Sequence, residues 1–176
     1  MSDRVEVRTV HPDDWELFSR LRLAALQDTP TAFASSYERE AGRTEAEWRG
    51  WLGRTDGARF VASEAGAPSG IAAVYLRRDE RDDPSPVPEL VSMWVHPDRR
   101  GRGVGRVLVD AVAGWVAGRG FAEVRLMVAA DNPLAERFYE RLGFTRTGYT
   151  QPFPHDDARI EHEMTRPSRP SRLPAS

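Results

Sequence analysis

Residues 96–106 read HPDRRGRGVGR, with four arginines and three glycines in eleven positions. How this stretch is read decides the fold. Before it lies Glu89–Val95, an apolar run with strand character. From it grows Gly101–Gly118, whose Val104, Leu108, Val112 and Trp115 recur at helical spacing. The stretch is therefore a glycine-rich turn from a strand into a helix. Glycine lets the backbone approach a ligand closely and adopt positive φ. The first amides of a helix have no intrahelical partner and carry the positive end of its dipole. A strand, then R-x-x-G-x-G, then a helix makes a pyrophosphate site, and flanking arginines add charge-assisted contacts.

Three other readings compete. A P-loop requires a lysine, and the chain has none. A dinucleotide fingerprint matches Gly101 and Gly103 but meets Arg106 where its third glycine belongs. A nucleic-acid patch spreads basic residues over a face among aromatics. Here the arginines are confined to one turn of a chain with formal charge 25 − 27 = −2. No nucleic-acid partner is expected.

Outward from the turn, Val5–Val10 alternates as a strand. A helix then starts at Pro12-Asp13-Asp14, with Trp15, Phe18, Leu21 and Leu26 on its apolar face, until Thr29-Pro30 interrupts it. A second helical stretch spans 44–54. Arg59–Glu64 and Gly70–Arg77 form a hairpin. RRDERDDPSPVP (77–88), charged and then proline-rich, predicts a loop. Glu123–Ala129 alternates again. Pro133–Leu142 is a short helix closed by Gly143. Phe144–Tyr149 and Arg159–Thr165 are the last strands, around a loop Gln151–Asp157. The order β-α-α-β-β-β-α-β-α-β-β predicts one α/β domain of the α+β type over residues 1–165. Residues 166–176, rich in proline and serine, predict a disordered tail.

Composition bounds the rest. Hydrophobic residues at 40% and charged residues at 30% fit a soluble globular protein. Without cysteine there is no disulfide, thiolate metal site or cysteine nucleophile. No run approaches the ~20 apolar residues of a membrane span, and the N-terminus has no signal core, so a cytoplasmic protein without a membrane partner is expected. His11, His96, His155 and His162 lack metal-ligand spacing, so no metal is expected. All basic residues are arginine, as a GC-rich bacterial genome produces.

The run VSMWVHPDRRGRGVGRVLVDAV (91–112) resembles motif A of the GNAT family, the acetyl-CoA-dependent N-acetyltransferases. Arg100-Gly101-Arg102-Gly103-Val104-Gly105 matches that family's [QR]-x-x-G-x-[GA] signature. A second family-like block, DNPLAERFYERLGF (131–144), follows at the expected distance. The resemblance implies the GNAT fold: a mixed, mostly antiparallel sheet of about six to seven strands with helices on both faces. Strands four and five would splay apart around acetyl-CoA.

The resemblance also implies roles. Arg100, Gly101, Arg102, Gly103, Val104, Gly105 and Arg106 would hold the pyrophosphate. Backbone groups of Met93, Trp94 and Val95 would meet the pantetheine arm, and an N–H near Met93 or Val95 would stabilise the oxyanion. Asn132 would touch the same arm, or only cap the helix it opens. Tyr139 would protonate the leaving thiolate as general acid, or merely pack. Glu89, opening the fourth strand, would be the general base, or an exposed strand-end carboxylate.

The acceptor is less legible. Phe33, Ser35 and Tyr37 near the first helices, and His155 and Asp156 in the loop after the sixth strand, are the candidates for binding a primary amine. Core packing competes for the aromatics, and an acidic surface loop for the last two. The expected reaction is direct acetyl transfer from acetyl-CoA to a primary amine of a small metabolite, an aminated antibiotic or a peptide. A non-catalytic acyl-CoA-binding sensor is the alternative. A homodimer is an option that similar proteins make common.

Overall fold

The computed structural model describes residues 4–79 and 83–169. The elements run β1 (Val5–Thr9), α1 (Trp15–Asp28), α2 (Tyr37–Ala41), α3 (Glu45–Leu52), β2 (Gly57–Glu64) and β3 (Ala67–Asp79). Then come β4 (Asp83–Val95), α4 (Val104–Gly118), β5 (Glu123–Ala129), α5 (Pro133–Arg141), β6 (Thr145–Phe153) and β7 (Asp156–Pro167). The seven strands form one sheet in the order β1-β2-β3-β4-β5-β7-β6. Only β4 and β5 pair in parallel. This is the expected mixed, mostly antiparallel sheet.

The period of two along the strands sorts side chains onto two faces. On one face Phe60, Ala72, Val74, Leu90, Val124 and Leu126 pack under Val104, Leu108 and Val112 of α4. Phe138 and Tyr139 of α5 join this core at its edge. On the other face Val61, Ile71 and Trp94 pack under Phe18, Leu21 and Ala25 of α1 and Trp48 and Leu52 of α3. Helices therefore cover both faces, as expected. A bidentate pair from Arg22 to Glu40, at 3.0 and 2.9 Å, ties α1 to α2 inside the second layer.

Three sequence expectations change. First, 77–88 is not a loop: β3 runs on to Asp79 and β4 begins at Asp83. Pro86 and Pro88 stand opposite Arg78 and Leu76. A proline has no N–H, so these must be the non-hydrogen-bonded pairs of the ladder, while Val87 and Glu89 supply the bonded ones. Prolines spaced by two leave the β3 ladder intact and remove donors only from the edge facing β5. Second, Gln151–Asp157 is a tight hairpin turning at Pro154-His155, with φ of 66° at His155. Third, β7 continues to Pro167. Ser168 is buried, and its N–H and hydroxyl donate to the carbonyls of Ala122 and Phe121 at 2.8 and 2.6 Å. Residues 170–176 of the expected tail lie outside the described residues.

Candidate active site

The parallel pair β4–β5 holds a single register contact, Glu89 opposite Arg125. Beyond it the two strands diverge. Their remaining facing groups, along Leu90–Val95 and Leu126–Ala129, have no mutual ladder among the described residues. The divergence is helped by a bulge in β4: two residues, Ser92 and Met93, answer Ala72 alone, and Ser92 has φ of 55°. The wedge opens into a cleft of about 1320 Å³ running between β4, β5, the 100–106 turn and α5. Unpaired backbone groups along a cleft are an invitation to a ligand that carries amides of its own.

At one end of the cleft stands the glycine turn. Gly101 and Gly103 have φ of 77° and 87°, conformations that side chains resist. A Cβ at either would meet nothing within 4 Å, so these glycines serve the backbone path rather than packing. Gly103 caps α4, whose first bond to a preceding carbonyl is Val107 N–H to Gly103 O at 3.2 Å. The amides of residues 101–106 have no acceptor among the described residues. That is a cradle for an anion at a helix N-terminus.

The arginines behave differently from expectation. Arg100 donates to the Val95 carbonyl at 3.1 Å and is salt-bridged to Asp28 at the end of α1. Arg99 and Arg102 lie 2.7 and 3.6 Å from the buried Glu64. Arg106 alone of the four has no ion pair among the described residues, and it lines the cleft. Gly105 sits in the first turn of α4 against Phe138 and lines the cleft. Val104 is buried beneath the helix. Arg99, Arg100 and Arg102 are thus paired with Glu64 or Asp28 while staying partly exposed, and Arg99 and Arg100 line the cleft beside Arg106.

Met93, Trp94 and Val95 all line the cleft. The Met93 and Val95 side chains turn to the α4 core, whereas the Trp94 ring turns to the α1 side and donates to Asp28 at 2.9 Å. Asp28 thus fastens both the end of β4 and the start of the glycine turn. Trp94 and Arg100 hold its carboxyl below the usual range despite its burial.

Asn132 and Tyr139 line the cleft from α5, two helical turns apart and so on one face. Asn132 is the N-cap: its Oδ1 accepts from Ala135 N–H at 3.2 Å, leaving its NH₂ group for other partners. Tyr139 packs edge-on against Phe138 and Phe144 at 5.2 and 5.6 Å. Its hydroxyl makes no hydrogen bond among the described residues. Burial pushes the phenol well above its ordinary value of 10.0.

Glu89 stands where the strands part. Arg77 Nε is 3.4 Å from it. Burial drives its carboxyl above the ordinary 4.5; Arg77 opposes that, and Glu161 and Glu163 reinforce it. Tyr75 faces Glu89 directly across β3 and β4. Glu161, also raised by burial, accepts from Gln151 Nε2 at 2.7 Å.

Of the acceptor candidates, Phe33 and Ser35 line the cleft. Tyr37, His155 and Asp156 do not: Tyr37 opens α2, His155 meets Arg39 at 3.4 Å in the exposed hairpin turn, and Asp156 caps Ala158 N–H. In their place stand Arg43, Trp51, Tyr75, Phe153 and Glu161. Sequence reading missed these because sheet register for Tyr75, Phe153 and Glu161, and the packing of α3 on the sheet for Arg43 and Trp51, bring them together rather than proximity along the chain. The one usable signal was the alternation that puts Tyr75 and Glu89 on one face. No cluster of three or more metal-ligating side chains exists among the described residues, and no helix there is long and apolar enough to cross a membrane.

The fold and this cleft define a class. Residues 20–144 match the model of the acetyltransferase (GNAT) family, and the chain belongs to that family. A mycothiol acetyltransferase of Thermobispora bispora is 31% identical over 83% of this chain and 48% of its own length. An aminoglycoside N(6')-acetyltransferase type 1 of Salmonella typhimurium is 30% identical over 62% of this chain and 91% of its own. The chain thus spans about half the length of the mycothiol acetyltransferase. Among solved structures, a GCN5-related N-acetyltransferase from Kribbella flavida superposes with TM-score 0.70 at 25% identity, covering 93% of this chain and 97% of that one. A spermidine N-acetyltransferase from Vibrio cholerae, in complex with CoA and spermine, shares the fold at TM-score 0.70 and 17% identity, over 93% and 95% of the two chains.

Proposed function

We propose that this chain is an acetyl-CoA-dependent N-acetyltransferase whose acceptor is a primary amine. One observation carries the reading: the β4–β5 ladder stops at Glu89, and the wedge beyond it leads to the unpartnered amides of 101–106. An extended arm with amide groups fits the first part, and a pyrophosphate fits the second. The family supports acetyl-CoA as the molecule that has both.

When bound, acetyl-CoA supplies a thioester-activated acetyl group. The chain's residues do the rest. The amides of 101–106 and Arg106 hold the pyrophosphate, and the open edge of Met93–Val95 with Asn132 aligns the arm. Glu89 takes the proton of the incoming amine, which is mostly charged at neutral pH. A carboxylate lifted by burial is better matched to that task than an ordinary one. Tyr139 stays protonated because its phenol is raised, so it donates a hydrogen bond to the sulfur as the C–S bond breaks and the N–C bond forms, and the second proton shed by the nitrogen passes to that sulfur, which leaves as the free thiol. Glu161 and Glu163 add negative potential that favours a cationic acceptor.

A panel of primary amines with acetyl-CoA, followed by free-thiol release, tests this. Amine-dependent release is expected. Tight acetyl-CoA binding with no release for any amine would instead make the chain a non-catalytic acyl-CoA sensor.

A further inference from the structure

The acceptor end of the cleft is electrically divided. On the β4–β7 side stand Glu89 and Glu161, with Arg77 3.4 Å from Glu89 and Glu163 in an adjoining recess of about 360 Å³ that Arg77 and Arg78 also line. On the α1–α3 side the wall is cationic and aromatic. Arg22, Arg43, Arg54, Trp51 and Tyr75 line it. Beneath Trp51 and Tyr75 lies Arg59, 1% exposed, stacked on the Tyr75 ring at 4.5 Å and the Trp51 ring at 5.7 Å.

This wall is short of negative charge. Arg22 has Glu40, and Arg54 has Asp56. Among the described residues Arg43 forms an ion pair with Glu40 alone, at 3.8 Å, and feels Glu47 from farther away; Glu40 already takes two bonds from Arg22. Arg59 has no carboxylate partner among the described residues. Its Nε donates to Tyr75 Oη and its Nη1 to the Arg54 carbonyl, both at 3.2 Å, while Nη2 has no partner. Four guanidinium groups therefore share two carboxylates. A buried cation without a counter-charge is costly, and a low-dielectric aromatic wall projects its field rather than screening it. An anion placed against this wall relieves both.

Arg159 holds Asp131 with two bonds of 2.7 Å, donates to the Thr31 carbonyl at 3.1 Å and stacks on Phe153 at 4.2 Å. It ties the segment after α1 to the β6–β7 hairpin beside the acceptor end.

We propose that the acceptor is a zwitterion, an amino acid or short peptide with a free carboxylate. Its ammonium lies toward Glu89 and Glu161, and its carboxylate toward Arg43 above the Arg59 charge. The assignment rests on the N-acetyltransferase reading and sharpens it. A polyamine, by contrast, places a second cation against the arginine wall.

The test compares matched pairs at fixed acetyl-CoA: phenylalanine with phenethylamine, lysine with 1,5-diaminopentane, and a dipeptide with its C-terminal amide. The expected kcat/KM is at least tenfold higher for the carboxylate-bearing member. Arg43→Gln should collapse that ratio towards one, and Arg43→Lys should restore part of it, with unfolding curves confirming that both variants fold. Pairs with a ratio of one or below, where amines are acetylated, overturn the zwitterion assignment but leave the acetyltransferase standing. A ratio unmoved by Arg43→Gln overturns the placement of the carboxylate. No thiol release from any member counts against the acetyltransferase reading, and the inference falls with it.

Discussion

Gly105 of α4 and Phe138 of α5 share one space: a Cβ on Gly105 would stand 2.7 Å from Phe138 Cζ and 3.3 Å from Met93 Cε. The third glycine of the signature thus sets how closely the helix behind the cleft meets the helix that carries Asn132 and Tyr139. Gly105→Ala should push Phe138 aside and cost on the order of 1–3 kcal/mol of stability, as overpacking does. Urea denaturation checks this; an unchanged midpoint would show that the helices can separate freely.

Gly103 does a different job, with open space around it and φ of 87°. Asn and Asp tolerate that backbone about equally, but Asp adds a negative charge at the start of α4. Gly103→Asp should therefore weaken acetyl-CoA binding about tenfold more than Gly103→Asn, through repulsion of the pyrophosphate. Calorimetric titration of both variants decides it, and equal affinities would remove the anion from this turn.

Tyr139→Phe should lower kcat by roughly a hundredfold while leaving acetyl-CoA affinity close to that of the parent. The fold should not suffer, because the hydroxyl has no hydrogen-bond partner among the described residues to lose. Wild-type turnover in this variant would reduce Tyr139 to a packing role.

Glu89 links activity to pH. Its folded value is raised above 4.5, chiefly by burial, so the folded state holds this proton more tightly than the unfolded one. Stability then falls as pH rises from about 4.5 through the folded value. Activity rises over the same window, because the base must be ionised. Glu89→Gln should abolish the rising limb of the kcat/KM profile. Its stability relative to the parent should grow as pH increases. A stability gain over the parent that is no larger at pH 8 than at pH 4 would contradict the burial argument.

The sequence carried the glycine turn, the helix face of α4 and the cap at Asn132, because each is a local pattern. It hid the length of β3 and β4, because prolines normally break strands and only their spacing of two keeps the ladder. It also hid the fate of the arginines. Arg100 and Asp28 are 72 positions apart, and Arg99 and Glu64 are 35 apart. Nothing local announces such pairs. The same holds for Arg43, Trp51, Tyr75 and Glu161, which reach the cleft from the α2–α3 link, α3, β3 and β7 only through tertiary packing. Of the acceptor candidates, Phe33 and Ser35 line the cleft, whereas Tyr37, His155 and Asp156 do not.

In the proposed function, acetyl-CoA fills the open edge of β4 and the amides of 101–106 together. Amide hydrogen exchange with and without acetyl-CoA reads those groups one by one. Slowed exchange is expected in two segments at once, residues 101–106 and residues 93–95, with little change in β1 and β2. Saturating acetyl-CoA that leaves both segments exchanging as before would contradict it.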